Sequence, residues 1–235
     1  MLVAFAACAF PDFEFEDETN SSTETKGAGA STTTASVGGA SGCTLGEIGS
    51  CGAEQKCTVD PTSGAVICGM AGSRQVWDLC STDADCADGS WCDVRFEVCK
   101  PFCDNVDDCN FGDTQGECVP LTDAQGAVIA GVGKHCTSGC EPKTAAPCVT
   151  PAVTCVLDQQ RFDCAKSGGT TIWQSCTVGR DCVPGLACGD DGSGSLCRPW
   201  CTPPGDLPEC PAPFNYCAPT DPQVFWQAAE YGFCL

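Results

Sequence analysis

Twenty-five of the 235 residues are cysteine, and the spacing of those thiols decides what chemistry they can do. No pair stands as C-x2-C, the knuckle that structural zinc sites use, and no C-x-x-C-H haem attachment sequence occurs. The cysteine share exceeds the roughly 8–10% that marks a disulfide scaffold. The chemistry implied is cross-linking, and cross-links at this density require an oxidising compartment: extracellular, periplasmic or cell-surface.

A second set of candidates is acidic. Asp83, Asp85, Asp88 and Asp93 surround Gly89, and Asp104, Asp107, Asp108 and Asp113 follow at similar spacing. Hard oxygen ligands clustered in a turn suit calcium, while solvated acidic loops are the simpler reading. In the later half of the chain only Asp181 remains in the matching turn, so the scaffold does not need an ion there. His135 is the one histidine. It stands beside Cys136 in a segment that reads as a loop, the sole candidate for imidazole-assisted nucleophilic catalysis and, more simply, an incidental exposed side chain. No phosphate-binding loop, dinucleotide fingerprint or H-E-x-x-H accompanies it. The chain therefore reads as a non-enzyme with no cofactor, calcium being the one ion its residues suggest.

The elements that must position these residues follow from composition. The hydrophobic share of 43% is largely cysteine and alanine, and large aliphatic side chains are sparse. A chain so poor in them cannot hold a core without cross-links. A net charge of −20 with only 11 Lys and Arg excludes nucleic acid and anionic head groups as partners, because phosphate binding needs clustered bases. The first cysteine-rich half is the more acidic and the better placed to meet cations or basic partners.

Cysteine intervals reveal a duplication. Twelve cysteines from Cys43 to Cys136 are followed by twelve from Cys140 to Cys234 with nearly the same spacing, and Val76-Trp77 and Lys100-Pro101-Phe102 correspond to Ile172-Trp173 and Arg198-Pro199-Trp200. The expected organisation is two tandem homologous domains, 43–136 and 140–234, joined by Thr137-Ser138-Gly139. Each divides into three groups of four cysteines: Cys43/51/57/68, Cys80/86/92/99 and Cys103/109/118/136, then Cys140/148/155/164, Cys176/182/188/197 and Cys201/210/217/234. The last interval of a group carries turn chemistry in Asp60-Pro61-Thr62-Ser63-Gly64, Asp123-Ala124-Gln125-Gly126 and Asp190-Asp191-Gly192-Ser193-Gly194. Ala65-Val66-Ile67 and Ala127-Val128-Ile129 read as short strands, and Asp93 to Val98 alternates like a half-buried strand. The fold class is small and disulfide-rich, of irregular loops and short β-hairpins. Little helix is expected, with one turn around Gln223 to Tyr231. The five tryptophans are expected to pack at module junctions against disulfides and proline.

Four cysteines permit three pairings, and spacing does not choose among them. Joining neighbours would close small loops and leave the hairpin untied. The expectation is therefore first with third and second with fourth, giving Cys80–Cys92, Cys86–Cys99, Cys176–Cys188 and Cys182–Cys197.

The N-terminus is of another kind. Residues 1–8 read as a signal remnant, and the apolar run is too short to be a whole leader, so the expectation is that the given start falls inside a longer signal peptide. Phe5-Ala6-Ala7-Cys8 resembles a bacterial lipobox, in which the cysteine is lipidated after cleavage. Ala9 after it is similar to the outer-membrane sorting pattern. Setting Cys8 aside leaves an even number of cysteines, and lipid explains the odd one. Cleavage after Ala7-Cys8-Ala9, leaving a soluble chain, is the alternative. Residues 9–42, rich in Ser, Thr and Gly and acidic at their start, read as a disordered tether with a reach on the order of 30 Å.

Cys80 to Cys92, with Asp83, Asp85 and Gly89 between, continues through Cys99-Lys100-Pro101-Phe102-Cys103 and resembles the Dickkopf N-terminal-type cysteine-rich motif. That motif also recurs in secreted cysteine-rich lipoproteins of myxobacteria. Cys176 to Cys201 repeats it with Gly185 in place but without Asp83. The resemblance covers about a quarter of the chain. It implies a secreted disulfide module and brings no catalytic residue. The spacing Asp83-x-Asp85-x-x-Asp88-Gly89 is similar to thrombospondin-type calcium repeats.

The function expected is that of a non-enzymatic, surface-anchored structural or binding protein, acting by adhesion or assembly, and an outer-membrane lipoprotein is the class expected. Its partners would be the membrane, through Cys8, and a protein or further copies of itself. The alternatives are a secreted inhibitor or receptor ligand presenting Arg180 or Lys134 on a loop, and a calcium-binding surface protein.

Overall fold

The computed structural model describes residues 42–148, 150–190, 192, 194–203, 210–212 and 216–235. Cys8, the lipobox and residues 9–41 of the tether lie outside the described residues, as do Asp191 and Ser193 of the third turn.

Among the described residues fourteen short strands carry the fold: β1 Gln55–Val59, β2 Val66–Met70, β3 Ser90–Asp93, β4 Val98–Cys103, β5 Asn110–Phe111, β6 Thr114–Gln115, β7 Cys118–Pro120, β8 Lys134–Cys136, β9 Val153–Asp158, β10 Arg161–Lys166, β11 Leu186–Asp190, β12 Ser195–Cys201, β13 Cys217–Trp226 and β14 Ala229–Cys234. Among the described residues the helical pieces are single 3-10 turns at Asp83–Asp85, Val106–Cys109 and Gly179–Asp181. The protein is thus a small disulfide-rich fold of antiparallel hairpins.

One unit is repeated six times. In each, the third and fourth cysteines face one another across an antiparallel pair: Cys57 and Cys68, Cys92 and Cys99, Cys118 and Cys136, Cys155 and Cys164, Cys188 and Cys197, Cys217 and Cys234. The first cysteine bonds the third and the second bonds the fourth, without exception in the twelve disulfides. The segment before each hairpin is therefore tied to both of its strands. The loops so closed run from 12 to 27 residues, and closing loops of that length stabilises by about 3 kcal/mol each. Cross-links of that size replace the core that a module of this length cannot form.

The C-x3-C spacing that links the second and third groups has a structural meaning. Cys99 and Cys103 lie on the same strand, β4, and Cys197 and Cys201 on β12. Each strand runs on from one hairpin into the next, building four-stranded sheets of order β3-β4-β8-β7 and β11-β12-β14-β13. The hairpins β1-β2 and β9-β10 stand as separate two-stranded sheets. They join the following module by the same contacts in both halves. Arg74 bridges Cys86 and Thr170 bridges Cys182 in parallel, and the Trp77 and Trp173 amides donate to the Cys99 and Cys197 carbonyls.

Every disulfide stays within its half, yet the halves share a core. Val98, Cys103, Cys109 and Cys136 pack in one cluster with Cys140, Val153, Phe162, Trp200 and Tyr231. Phe162 meets the rings of Trp200 and Tyr231 edge to face at 5.3 and 5.8 Å, a favoured aromatic geometry. Trp77, Trp91 and Trp200 are buried, and Trp226 donates its indole N–H to the Gly139 carbonyl at 2.7 Å. At the connection, Gly139 has φ 56° and a Cβ there would sit 2.2 Å from the Gln115 carbonyl oxygen. Only glycine permits that approach.

Four local expectations are corrected. Asp93 to Val98 is not one strand: Asp93 ends β3, Val98 starts β4, and the residues between form the turn, with Glu97 at φ 56°. Its alternating burial comes from Phe96 packing on Val156 and Ala165 of the other half. Ala127-Val128-Ile129 contributes only a single bridge from Val128 to Thr122, because the chain turns again at once. The stretch Gln223 to Tyr231 is a hairpin between β13 and β14, turned by Gln227 and Ala228 at φ 45° and 67°. His135 is not in an exposed loop but within β8, where pairing with Phe102 and Val119 buries it.

Candidate functional site

The four aspartates proposed around Gly89 do not converge; each carboxylate has its own work. Asp83 accepts from Lys56 Nζ at 3.0 Å, the Thr58 hydroxyl at 2.6 Å and the Cys92 amide at 3.0 Å. Asp85 accepts the Ser81 and Thr82 amides. Those bonds hold its carboxyl below the usual range. Asp88 takes the Gly49 and Gly89 amides. Asp93 takes the Arg95 amide and Lys100 Nζ. Lower down, Asp108 repeats the role of Asp85 on Asp104 and Asn105, and Asp181 repeats it on Thr177 and Val178. Much of the acidic surplus is thus backbone capping at turns, a use that calls for aspartate.

Lys56 is fully buried, with Nζ also 2.6 Å from the Asp83 carbonyl and 2.8 Å from the Ser90 carbonyl. Burial pushes its ammonium below the usual lysine value, opposed by the charge of Asp83. The pair stitches the first hairpin to the second module. By the cysteine register Thr154 and Gly179 occupy the two corresponding places in the other half, so lysine and aspartate are replaced together.

A group of buried charges lies at the joint of the halves. Lys100, on β4, is fully buried and reaches Asp93 at 2.8 Å and Asp163 of β10 at 2.6 Å. Asp163 also accepts the Ser138 and Cys164 amides, both at 2.9 Å, on its other oxygen. Burial works to raise the Asp93 carboxyl, but the charge and hydrogen bond of Lys100 help to hold it below its usual value. Around this centre run Arg95–Asp158 at 3.1 Å, Lys166–Glu97 at 2.6 Å and Arg161–Glu117 at 3.4 Å. Neither Lys56 nor Asp163 stands out in the sequence, and Lys100 does so only as a marker of the duplication and within the stretch Cys99 to Cys103. The available signal was a basic residue beside cysteine in both halves, Lys100 and Arg198, in a chain with few bases.

His135 borders this centre. Burial first, and then the Lys100 charge, push its imidazole down to about 4, against the pull of Asp93 and Asp163. Its neighbour Cys136 is bonded to Cys109, so no thiol stands beside it to be activated. Cysteine triads such as Cys80, Cys86 and Cys92 lie close enough to hold a metal, but their sulfurs are already used in disulfides. No family model matches the chain, and no curated protein or solved structure is significantly similar to it.

Two outcomes test these assignments. Lys56→Thr takes the buried ammonium away from Asp83 and from two carbonyls and should cost about 3 kcal/mol, read as a shift in denaturant midpoint. Adding Asp83→Gly, which recreates the other half's pair, should recover at least half of that loss; a double variant no better than the single contradicts the pairing. For His135, the folded value lies below the ordinary 6.5, so the unfolded chain takes up the proton first. The stability from the neutral, buried ring is full above about pH 6.5 and is lost, up to about 3 kcal/mol, as pH falls toward 4. An NMR titration of the single imidazole should give a midpoint near 4, and one near 6.5 would contradict its burial.

Proposed function

We propose that this chain is a non-enzymatic, extracellular structural or binding protein, anchored to a bacterial outer membrane by a lipid on Cys8 and acting by adhesion or assembly. The observation that carries the reading is the complete pairing of cysteines from Cys43 to Cys234 in twelve disulfides. Every thiol that could act as nucleophile or metal ligand there is consumed, and Cys8 alone is left over, in a lipobox-like setting. A frame of closed loops resists proteolysis because local opening is limited by covalent ties. Such a frame suits a protein held outside the cell, and the Ser, Thr and Gly composition of residues 9–42 suits a tether. The resemblance to Dickkopf-type modules of secreted lipoproteins agrees with this reading.

The inhibitor alternative is disfavoured by the conformation of its two candidate residues. A protease-binding side chain must project from an extended, accessible segment. Arg180 instead sits in a 3-10 turn and donates to the Arg95 carbonyl. Lys134 is paired within β8, and its Nζ reaches the Asp104 carbonyl at 3.2 Å. The calcium alternative loses support for a similar reason, since Asp83, Asp85, Asp88 and Asp93 serve separate internal donors.

The test is partitioning. Expressed behind a complete leader in a Gram-negative host, the wild-type protein should enter the detergent phase and the Cys8→Ser variant the aqueous phase. Equal aqueous partitioning of the two would overturn the anchor.

A further inference from the structure

The twelve disulfides leave the two halves joined only by the backbone at Thr137-Ser138-Gly139, yet the contact between them contains an ammonium and a carboxylate placed for reaction. We propose that Lys100 and Asp163 condense into an isopeptide bond, a covalent tie between the halves that reduction cannot open.

Four features of the site support the reaction. Lys100 Nζ lies 2.6 Å from Asp163 Oδ2, with the two side chains 0% and 3% exposed. A second carboxylate, Asp93, 1% exposed, contacts the same nitrogen at 2.8 Å. One ammonium thus faces two carboxylates, one to react and one to carry protons. The far oxygen of Asp163, Oδ1, accepts amide hydrogens from Ser138 and Cys164, both at 2.9 Å. Two backbone donors on one oxygen are what stabilises the charge developing in a tetrahedral intermediate. Finally, the Phe96 ring lies 4.1 Å from Nζ and packs on Val156 and Ala165, which keeps water from the nitrogen. In a dry site, proton transfer that turns an ion pair into a neutral amine and acid loses less than it would in water.

The step balances without any further reactant. The ammonium gives one proton to Asp93, and the freed nitrogen lone pair attacks Asp163 Cγ. Asp93 delivers that proton to Oδ2, a second proton follows from the nitrogen, the Cγ–Oδ2 bond breaks and Oδ2 leaves as water. The products are a neutral secondary amide, one water and Asp93 restored to carboxylate. No electron donor or acceptor is needed.

The molecule contains its own contrasts. Lys56 also meets a carboxylate, Asp83, at 3.0 Å, but Asp83 is 24% exposed and the other acceptors on that nitrogen are carbonyls, so no second carboxylate carries the proton. In the other half, the cysteine register puts Arg198 where Lys100 stands and Gly189 where Asp93 stands. A guanidinium is a poor nucleophile, and the proton carrier is missing.

The experiment is peptide mapping of the full-length folded protein after complete reduction and alkylation. Trypsin cuts after Arg95, Lys134, Arg161 and Lys166 and spares Lys100-Pro101. The expected product is a branched peptide in which residues 162–166 are attached to residues 96–134, lighter than the two together by one water. Recovery of 162–166 and 96–134 as separate peptides at unmodified mass would overturn the proposal and leave a plain ion pair. Lys100→Arg, which keeps the charge, should release both peptides; persistence of a link there would place it on another residue and overturn the assignment. Asp93→Asn, with folding checked by absence of free thiols, should leave the peptides unlinked. Linkage as complete as in wild type would overturn the role of Asp93.

Discussion

A hairpin whose facing cysteines are both tied back to the segment before it is the constraint on which the rest of this protein depends. The facing pair, for example Cys92 and Cys99, fixes where the two strands lie relative to each other. The partners, Cys80 and Cys86, fix the incoming chain against the same hairpin. Because crossing ties restrain the unfolded chain in place of apolar burial, the intervening loops are free of the need to be hydrophobic. That freedom is visible in the composition, where aspartate, glycine and threonine fill positions that a conventional core would claim.

What the cross-links do not supply is the arrangement of one module on another, and there the structure uses buried polar groups. Lys56 holds the first hairpin to the second module, and Lys100 holds the second module to the β9-β10 hairpin. A buried ion pair adds little net stability over an apolar contact, but losing one partner is costly. Such a pair therefore discriminates strongly between the right docking and the wrong ones. The second half reaches a comparable junction differently, with Thr154 and Gly179 at the first position and with Arg198 donating to the Cys234 carbonyl at the second. The duplicated frame is common to both halves, while the junctions were built separately.

The frame was legible in the sequence because cysteine marks itself. Intervals alone divide the chain into two halves and six groups, and Asp60 to Gly64 announces its turn through Pro and Gly. The hairpins at Gln159-Gln160 and Gln227-Ala228 carried no such announcement. Their paired positive φ values are those of a two-residue turn that usually selects Asn or Gly, and here glutamine and alanine occupy it instead. Phe96 misled in the opposite direction, since its burial comes from the other half rather than from its own strand. The buried lysines were hidden for a related reason. In a hairpin whose cysteines occupy one face, alternation sends Lys56 and Lys100 to the other face, which reads as solvent until a second module covers it. The same covering takes His135 out of the loop surface expected of it. The aspartates show the limit of reading ligands from spacing, because Asp83, Asp85, Asp88 and Asp93 are near in sequence yet point to four different donors.

From Cys43 to Cys234 every thiol is consumed in a disulfide. The six hairpins all rest on one pairing rule. The most direct measurement is therefore disulfide mapping of the unreduced, natively folded protein, with cleavage inside the modules. First-to-third and second-to-fourth links are expected throughout, including Cys80–Cys92, Cys86–Cys99, Cys176–Cys188 and Cys182–Cys197. Recovery of neighbour links such as Cys80–Cys86 and Cys92–Cys99 would contradict the pairing rule.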